Sequence, residues 1–367
     1  MSAGRGTMRD VAGGGALAPT RRRPLPTGRQ PWRHSDFAHA RAARVRGDDA
    51  LCTVVIDAEE AFDWQDAVHG TPYSTAGIPR LVQLTGLFAA HGIVPTYLVT
   101  YPVLVDAAAA AWLRQEHESG RCALGAQLHP WVTPPFGEGR GHRLSFAGNL
   151  PRGAEERKLR TLCDAFAVAF GFRPTIYRAG RYGLSPSTPR LLEALGFRID
   201  TSIAPRTSFA AEGGPDFSAV DYGAFHFGEG EAILALPLCR SVVGWGGLTG
   251  ATLHGLPPIP HAGRRTLRGL LAATRCAERI TLSPEGNDLA EMGRLARGLI
   301  ARGERVLGLS FHSSSMLPGA NPYVRTEDDL RGFLERLAGA LDMLAGLGVR
   351  FVEMGSIPSR LMPLPDP

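Results

Sequence analysis

Residues 51–64 read LCTVVIDAEEAFDW, a short β-branched run that stops at Asp57 and passes straight into Asp57-Ala58-Glu59-Glu60. Seven more runs of this kind follow, at Ile93–Val99, Ala123–His129, Thr175–Arg178, Arg198–Ser202, Ala232–Pro237, Val306–His312 and Val349–Met354. Longer amphipathic stretches separate them, at Ile78–His91, Ala107–Glu118, Ala154–Phe170, Ser187–Leu195, Arg264–Glu278, Asp288–Arg302 and Thr326–Leu347. Gly92, Gly171, Gly196, Gly303 and Gly348 stand where helices should stop. Strand runs alternating with helical stretches predict an α/β fold built on a parallel sheet. Seven or eight such units fit one barrel better than two dinucleotide-binding halves. No GxGxxG follows the first strand and no GxxxxGK[ST] occurs, so nucleotide readings lose their main support.

In a barrel, chemistry gathers at the C-terminal ends of the strands and in the loops after them. The first strand ends in Asp57, Glu59 and Glu60; the third in Gln127-Leu128-His129-Pro130-Trp131; the fourth in Arg178-Ala179-Gly180-Arg181-Tyr182; the seventh in His312-Ser313-Ser314-Ser315. Carboxylate, imidazole and guanidinium groups are therefore presented to one mouth. Asp57 and Glu59, two apart in an extended segment, face the same side. With His129 they make an oxygen–oxygen–nitrogen set suited to zinc or a similar divalent ion. A bound ion of this kind lowers the pKa of a water and polarises a carbonyl, and a neighbouring carboxylate takes up the proton. Arg178 can orient that carboxylate through charge-assisted hydrogen bonds, and His312 can protonate a leaving amine or alcohol. Each residue alone has a plainer reading: a loop cap for Asp57, a packed histidine for His129, a structural ion pair for Arg178 or Arg181, a turn at His312, solvated or helix-capping roles for Glu60 and Asp63. Their convergence favours hydrolysis of an acyl group.

Composition sets the surroundings. The chain has 367 residues, 44% hydrophobic and 20% charged, which suits a globular protein. No apolar run reaches the roughly 18–20 residues that cross a bilayer, so no membrane span is expected. The net charge of +5 is uneven: residues 1–47 carry ten arginines against Asp10 and Asp36, a net of +8, which leaves −3 for residues 48–367. That mildly acidic body, with Lys158 as its one lysine, argues against nucleic-acid binding. Five scattered cysteines without a CxxC argue against a disulfide framework and a thiolate zinc site, and suit a reducing, cytoplasmic setting. Residues 1–47 read as a disordered basic tail, 48–357 as the barrel, 205–263 as a long Gly- and Pro-rich insertion able to form a lid, and 358–367 as a Pro-rich end. His69, His91, His117 and His142 are expected to be structural or solvated.

Taken in order, these motifs resemble those of the polysaccharide deacetylases, the NodB-homology proteins of carbohydrate esterase family four. The resemblance covers roughly Leu51 to Met354. Asp57 in VVIDAEEAFDW resembles the leading base of the first motif; GAQLHPW resembles the metal motif; YRAGRYG resembles the motif whose arginine, here Arg178, positions the base. Asp200 in IDTSIAP falls where a groove-forming motif would, and LGLSFHSS resembles the motif with the catalytic histidine, here His312. QLHPWVTPPF, HGIVPTYLV and SFHSSSMLPGANPY are similar to the divergent WalW-like branch found beside glycosyltransferases. The resemblance implies a distorted (β/α)7 barrel and a divalent metal, expected to be zinc, held by Asp57, Glu59 and His129. It implies a hydrolase acting on carbon–nitrogen bonds other than peptide bonds, removing acetyl groups from a glycan or glycan precursor. Trp64, Trp131, Tyr182 and Asp200 are then the expected substrate contacts, and a glycosyltransferase the expected associate. The sequence departs from the family where Ala58 replaces a second aspartate and where Gln127 and Trp131 replace two histidines. Those departures motivate an alternative, a catalytically silent barrel that binds carbohydrate or a glycosyltransferase partner.

Overall fold

A computed structural model describes residues 41–62, 73–139, 141–151, 153–228, 232–244 and 278–362. Most of the expected N-terminal tail, Asp63, Trp64, His69, the greater part of the 264–278 helix, and residues 229–231 and 245–263 of the 205–263 insertion, Trp245 included, lie outside these residues.

The strands are β1 (Arg41–Ala42), β2 (Leu51–Ala58), β3 (Thr96–Val99), β4 (Ala123–Leu128), β5 (Ile176–Ala179), β6 (Ile199–Asp200), β7 (Phe225–Phe227), β8 (Ile233–Ala235), β9 (Arg240–Val243), β10 (Glu278–Thr281), β11 (Val306–His312) and β12 (Arg350–Phe351). Seven of them pair in parallel in the order β11-β2-β3-β4-β5-β6-β8, and β7 and β1 extend the β8 edge antiparallel. The result is a curled parallel sheet with helices outside, an α/β half-barrel of the (β/α)7 kind. No ladder joins β8 to β11 among the described residues; the seam is spanned by the Tyr222 hydroxyl donating to Val306 O at 2.6 Å and by Ser310 N donating to Leu282 O at 3.1 Å. β9 and β10 form a separate antiparallel pair beside this seam.

Strand alternation sorts the side chains into two cores. Leu51, Val55, Leu98, Ile176, Ile199, Leu234, Leu236 and Val306 fill the inside of the curl, while Cys52, Val54, Ile56, Tyr97, Val99, Leu124, Ala126 and Tyr177 pack under the helices. All eight residues of β2 are buried, as expected for a central parallel strand covered on both faces. Within the curl a cavity of about 20 Å³, room for about one water, lies among Thr53, Val55, Arg178, Thr201 and Ser310, and the side chains around it form a packed core.

The helices Ala107–Glu118 and Ala154–Phe170 have the expected bounds, the second stopping at Gly171, whose φ of 84° a residue with a Cβ would resist. Asp106, Asp288 and Thr326 cap their helices through backbone N–H groups, Asp288 and Thr326 in full capping boxes with Glu291 and Asp329. Two expectations are corrected. The stretch 78–91 is not one helix but three short pieces, Gly77–Arg80, Leu81–Leu84 and Thr85–Ala90, and Glu278 opens strand β10 instead of closing a helix. The first piece abuts the loop after β11, where a Cβ on Gly77 would meet Ser313 O at 2.8 Å. Cys52, Cys122, Cys163 and Cys239 are buried and unpaired, and burial pushes each thiol well above its usual range. Among the described residues no helix is long and apolar enough to cross a membrane.

Candidate active site

The alternation that fills the barrel also aims its chemistry. Leu51, Thr53, Val55 and Asp57 lie on the inward face of β2, so Asp57 is the last inward residue of that strand. β11 runs beside it in parallel, and the register sets His312 opposite Asp57. On the other wall, Gln127 of β4 stands opposite Arg178 of β5. Four side chains from four strands thus reach one mouth.

Asp57 is the centre of one group. Its Oδ1 accepts from Arg178 Nη1 at 2.5 Å, and its Oδ2 lies 3.5 Å from His312 Nε2. Arg178 Nε donates to Thr201 Oγ1 at 3.0 Å, which fixes the guanidinium plane. His312 Nδ1 is 2.7 Å from Glu285 Oε2, and its backbone N–H donates to Glu285 Oε1 at 2.9 Å. Ser315 also donates to Glu285, and Asn321 Nδ2 donates to Ser315 Oγ at 2.7 Å. Burial alone would lower the His312 pKa; Glu285, with Glu59 and Asp57, reverses that and holds the imidazole up to about 10. The carboxylates thus favour the protonated imidazole, with Nδ1 committed to Glu285 and Nε2 directed at Asp57.

Glu59 joins this group to a second one. Asp57, Glu59 and His312 bring one donor atom each to within 4.8 Å of one another. On the opposite side Glu59 Oε2 is 3.4 Å from His129 Nε2, and Gln127 Nε2 donates to Glu59 Oε2 at 3.2 Å while lying 3.0 Å from His129 Nε2. His129 Nδ1 is 2.7 Å from Glu60 Oε1, and its ring stacks on Trp131 at 4.2 Å. Phe62 meets both rings edge-on. Burial would depress the His129 pKa, but Glu60, then Glu59 and Asp57, raise it overall. Glu59 itself is pushed up to about 7, chiefly by burial and further by Asp57 and Glu60, against the pull of His312 and His129.

The sequence assigned Asp57, Glu59 and His129 to a metal, whereas the compact trio in the structure is Asp57, Glu59 and His312. His129 is set back, clamped between Glu60 and Trp131, and touches the trio through Glu59. Glu60, read from sequence as solvated or a cap, is fully buried and holds His129. Asp200 is buried as well, and both its oxygens accept from Ser202, from the backbone N–H at 3.0 Å and from the hydroxyl at 2.6 Å. Alternation explains it: Ile199 and Thr201 point into the barrel, so Asp200 points out under the helices, away from any groove. Burial raises Asp200 to about 6 despite the Ser202 bonds. Tyr182 lies under the Arg178 guanidinium at 5.9 Å and stacks on Phe209, while Arg181 pairs with Glu212. His91 and His117 make structural contacts, with Asp342 and with Cys122 O respectively.

Glu285 carries no sequence signal. It sits in SPEGND, 27 residues before His312, and reaches it only because the β10 segment lies against β11. Gly180 is also structural in a way composition hides: a Cβ there would stand 2.4 Å from His129 Cδ2 and 2.7 Å from Leu128 O. The glycine lets the end of β5 close on the His129 ring.

The fold and site define a parallel half-barrel with an acid–imidazole–guanidinium cluster at the C-terminal ends of its strands. No family model and no curated protein matches the chain. Among solved structures it resembles polysaccharide deacetylases of carbohydrate esterase family 4. A protein assigned as a polysaccharide deacetylase from Mycobacterium smegmatis shares 15% identity at a TM-score of 0.44, over 89% of this chain and 99% of that one. A family 4 carbohydrate esterase from Streptomyces lividans, solved with acetate, shares 10% at 0.40, over 87% and 100%. The chitin deacetylase of Colletotrichum lindemuthianum shares 11% at 0.41, over 86% and 89%.

Proposed function

We propose that this chain is a metal-dependent hydrolase that removes acetyl groups from a glycan or glycan precursor, acting on carbon–nitrogen bonds other than peptide bonds. The observation that carries this reading is the Asp57 carboxylate, held by Arg178 on one oxygen and facing His312 with the other, with His312 backed by Glu285. A base and an acid side by side on the paired strands β2 and β11, at one mouth, suit attack of water on an acyl carbon followed by loss of an amine or alcohol.

The residues present fit a divalent ion. Two bonds of about 2.1 Å meeting at a tetrahedral angle separate their donor atoms by about 3.4 Å, the distance between Glu59 Oε2 and His129 Nε2. Glu59 Oε1 and Gln127 Oε1 are buried and accept no hydrogen bond among the described residues. Half a turn of the Gln127 amide exchanges its nitrogen for that oxygen and makes it a further donor, the two orientations being hard to tell apart. Glu60 on the far nitrogen of His129 is the usual support of a ligating histidine. Glu59 and His129 would hold the ion, with Gln127 and Asp57 beside them. When bound it would polarise the acyl carbonyl and make a water more acidic.

The protein's own groups do the rest. Asp57 accepts the proton of the attacking water, its orientation fixed by Arg178. His312 donates from Nε2 to the leaving nitrogen or oxygen, its tautomer set by Glu285. Trp131, partly exposed, would offer a face for the sugar ring. The test is acetate release from a panel of N-acetylated oligosaccharides by the purified protein, with and without a chelator. Release that stops on chelation and returns with metal is expected. No release from the whole panel with metal supplied would overturn the reading.

A further inference from the structure

Arg240 opens β9, five residues past the end of β8 and therefore beyond the C-terminal rim of the sheet. Its Nε donates to Thr281 Oγ1 at 2.7 Å, across the β9–β10 pair, and its Nη1 donates to Thr207 Oγ1 at 2.8 Å. Both partners are neutral hydroxyls. Among the described residues no carboxylate pairs with it, in contrast to Arg178 with Asp57, Arg181 with Glu212 and Arg206 with Asp221. Arg240 as a whole is half-buried, and among the described residues its Nη2, unlike Nε and Nη1, makes no hydrogen bond. The guanidinium is nonetheless largely buried, and burial pulls its pKa down, against only Tyr182 and Tyr323 in the other direction. Those phenols are uncharged at neutral pH, so among the described residues the cation has no counter-charge, which is costly in a site of low dielectric.

The surroundings tie this cation to the mouth. Thr207 is two residues from Phe209, whose ring stacks on Tyr182, and Tyr182 lies against Arg178. Thr281 is four residues from Glu285, the partner of His312. Tyr182 and Tyr323 both feel the charges of Arg240 and of Glu285. Arg240 is thus pinned by two threonines at one side of the candidate active site, beside two tyrosines, with its Nη2 making no hydrogen bond among the described residues.

We propose that Arg240 anchors an anion-binding subsite next to the Asp57–His312 pair, and that the saccharide taken there carries a carboxylate or phosphate group. Two oxygens of such a group accept from the guanidinium fork in parallel, supplying the missing counter-charge. This assignment rests on reading the mouth as a glycan site.

The experiment is titration calorimetry on the full chain carrying His312→Ala, to prevent turnover, with three probes: a hyaluronan tetrasaccharide, which alternates N-acetylglucosamine with a uronate; N-acetylglucosamine 1-phosphate; and neutral tetraacetylchitotetraose. At low salt an anionic probe should bind at least about tenfold more tightly than the neutral one, with the preference shrinking as salt is added. The tighter of the two anionic probes identifies the group as carboxylate or phosphate. Adding Arg240→Gln should bring anionic and neutral affinities within about twofold of each other, leaving chitotetraose binding unchanged. Arg240→Lys, which keeps the charge but loses the fork, should fall between. Should Arg240→Gln fail to fold, the salt dependence without it and the Arg240→Lys result decide the matter. A preference that survives Arg240→Gln, or equal binding of all three probes, overturns the anion subsite and leaves the glycan reading standing. Binding of none overturns both.

Discussion

Two histidines at the ends of β4 and β11 are built alike and placed differently. Each has its Nδ1 on a glutamate at 2.7 Å, Glu60 for His129 and Glu285 for His312, and each sends Nε2 toward Glu59 or Asp57. The His129 side chain is 2% exposed, pressed under Trp131, whereas His312 is 24% exposed. On the function proposed above, the same carboxylate–imidazole device would serve different ends according to access. A sealed imidazole cannot exchange protons with a leaving group and is suited to hold an ion; an open one can meet substrate and is suited to transfer a proton.

The largest effect expected from breaking this division is on turnover. His312→Ala should lower acetate release by about 10²–10⁴-fold with metal content, measured by elemental analysis, unchanged. Loss of metal in that variant would instead make the Asp57–Glu59–His312 trio the holder. Next comes Glu60→Gln, which should weaken metal affinity by about 10–100-fold in a competition titration with a chromophoric chelator; unchanged affinity would separate His129 from the ion. Gly180→Ala drives a methyl group into the His129 ring and should cost about 1–3 kcal/mol in urea unfolding, with metal affinity falling alongside. If stability falls and metal affinity does not, the ring's position is unimportant to binding.

The smallest expected effect marks the outer limit of the site. Asp200 is raised to about 6 from an ordinary value near 3.8, so the folded state binds more protons than the unfolded chain between those values. Stability from this group is therefore lost as pH rises from about 4 to about 6. Asp200→Asn, which keeps an acceptor for Ser202 N, should remove that slope and stabilise the protein above pH 6 by on the order of 1–2 kcal/mol. Urea midpoints at pH 4.5 and 7.5 in both proteins measure it. A large loss of activity in this variant would return Asp200 to the substrate groove.

Much of this site is legible along the chain because strand alternation and the C-terminal rim rule are local. Asp57, His129, Arg178 and His312 each stand at the end of a short, largely apolar run, and the two-residue spacing puts Asp57 and Glu59 on one side. The same rule read the other way accounts for Asp200, which is one residue out of phase with Ile199 and Thr201 and so faces the helices. Helices 107–118 and 154–170 were equally plain, since caps and glycine stops act within one turn.

What the sequence by itself determined was the class of fold and which side chains reach the mouth, because both follow from periodicities of two and 3.6 residues and from where each run ends. Tertiary structure alone decided which of them touch. The pairing of His312 with Glu285, the clamp of Glu60 and Trp131 on His129, and the lack of an acid paired with Arg240 among the described residues depend on how separate segments are brought together. Such contacts are made across 27, 69 or more residues, and hydrogen bonds over that span leave no periodic trace in either partner.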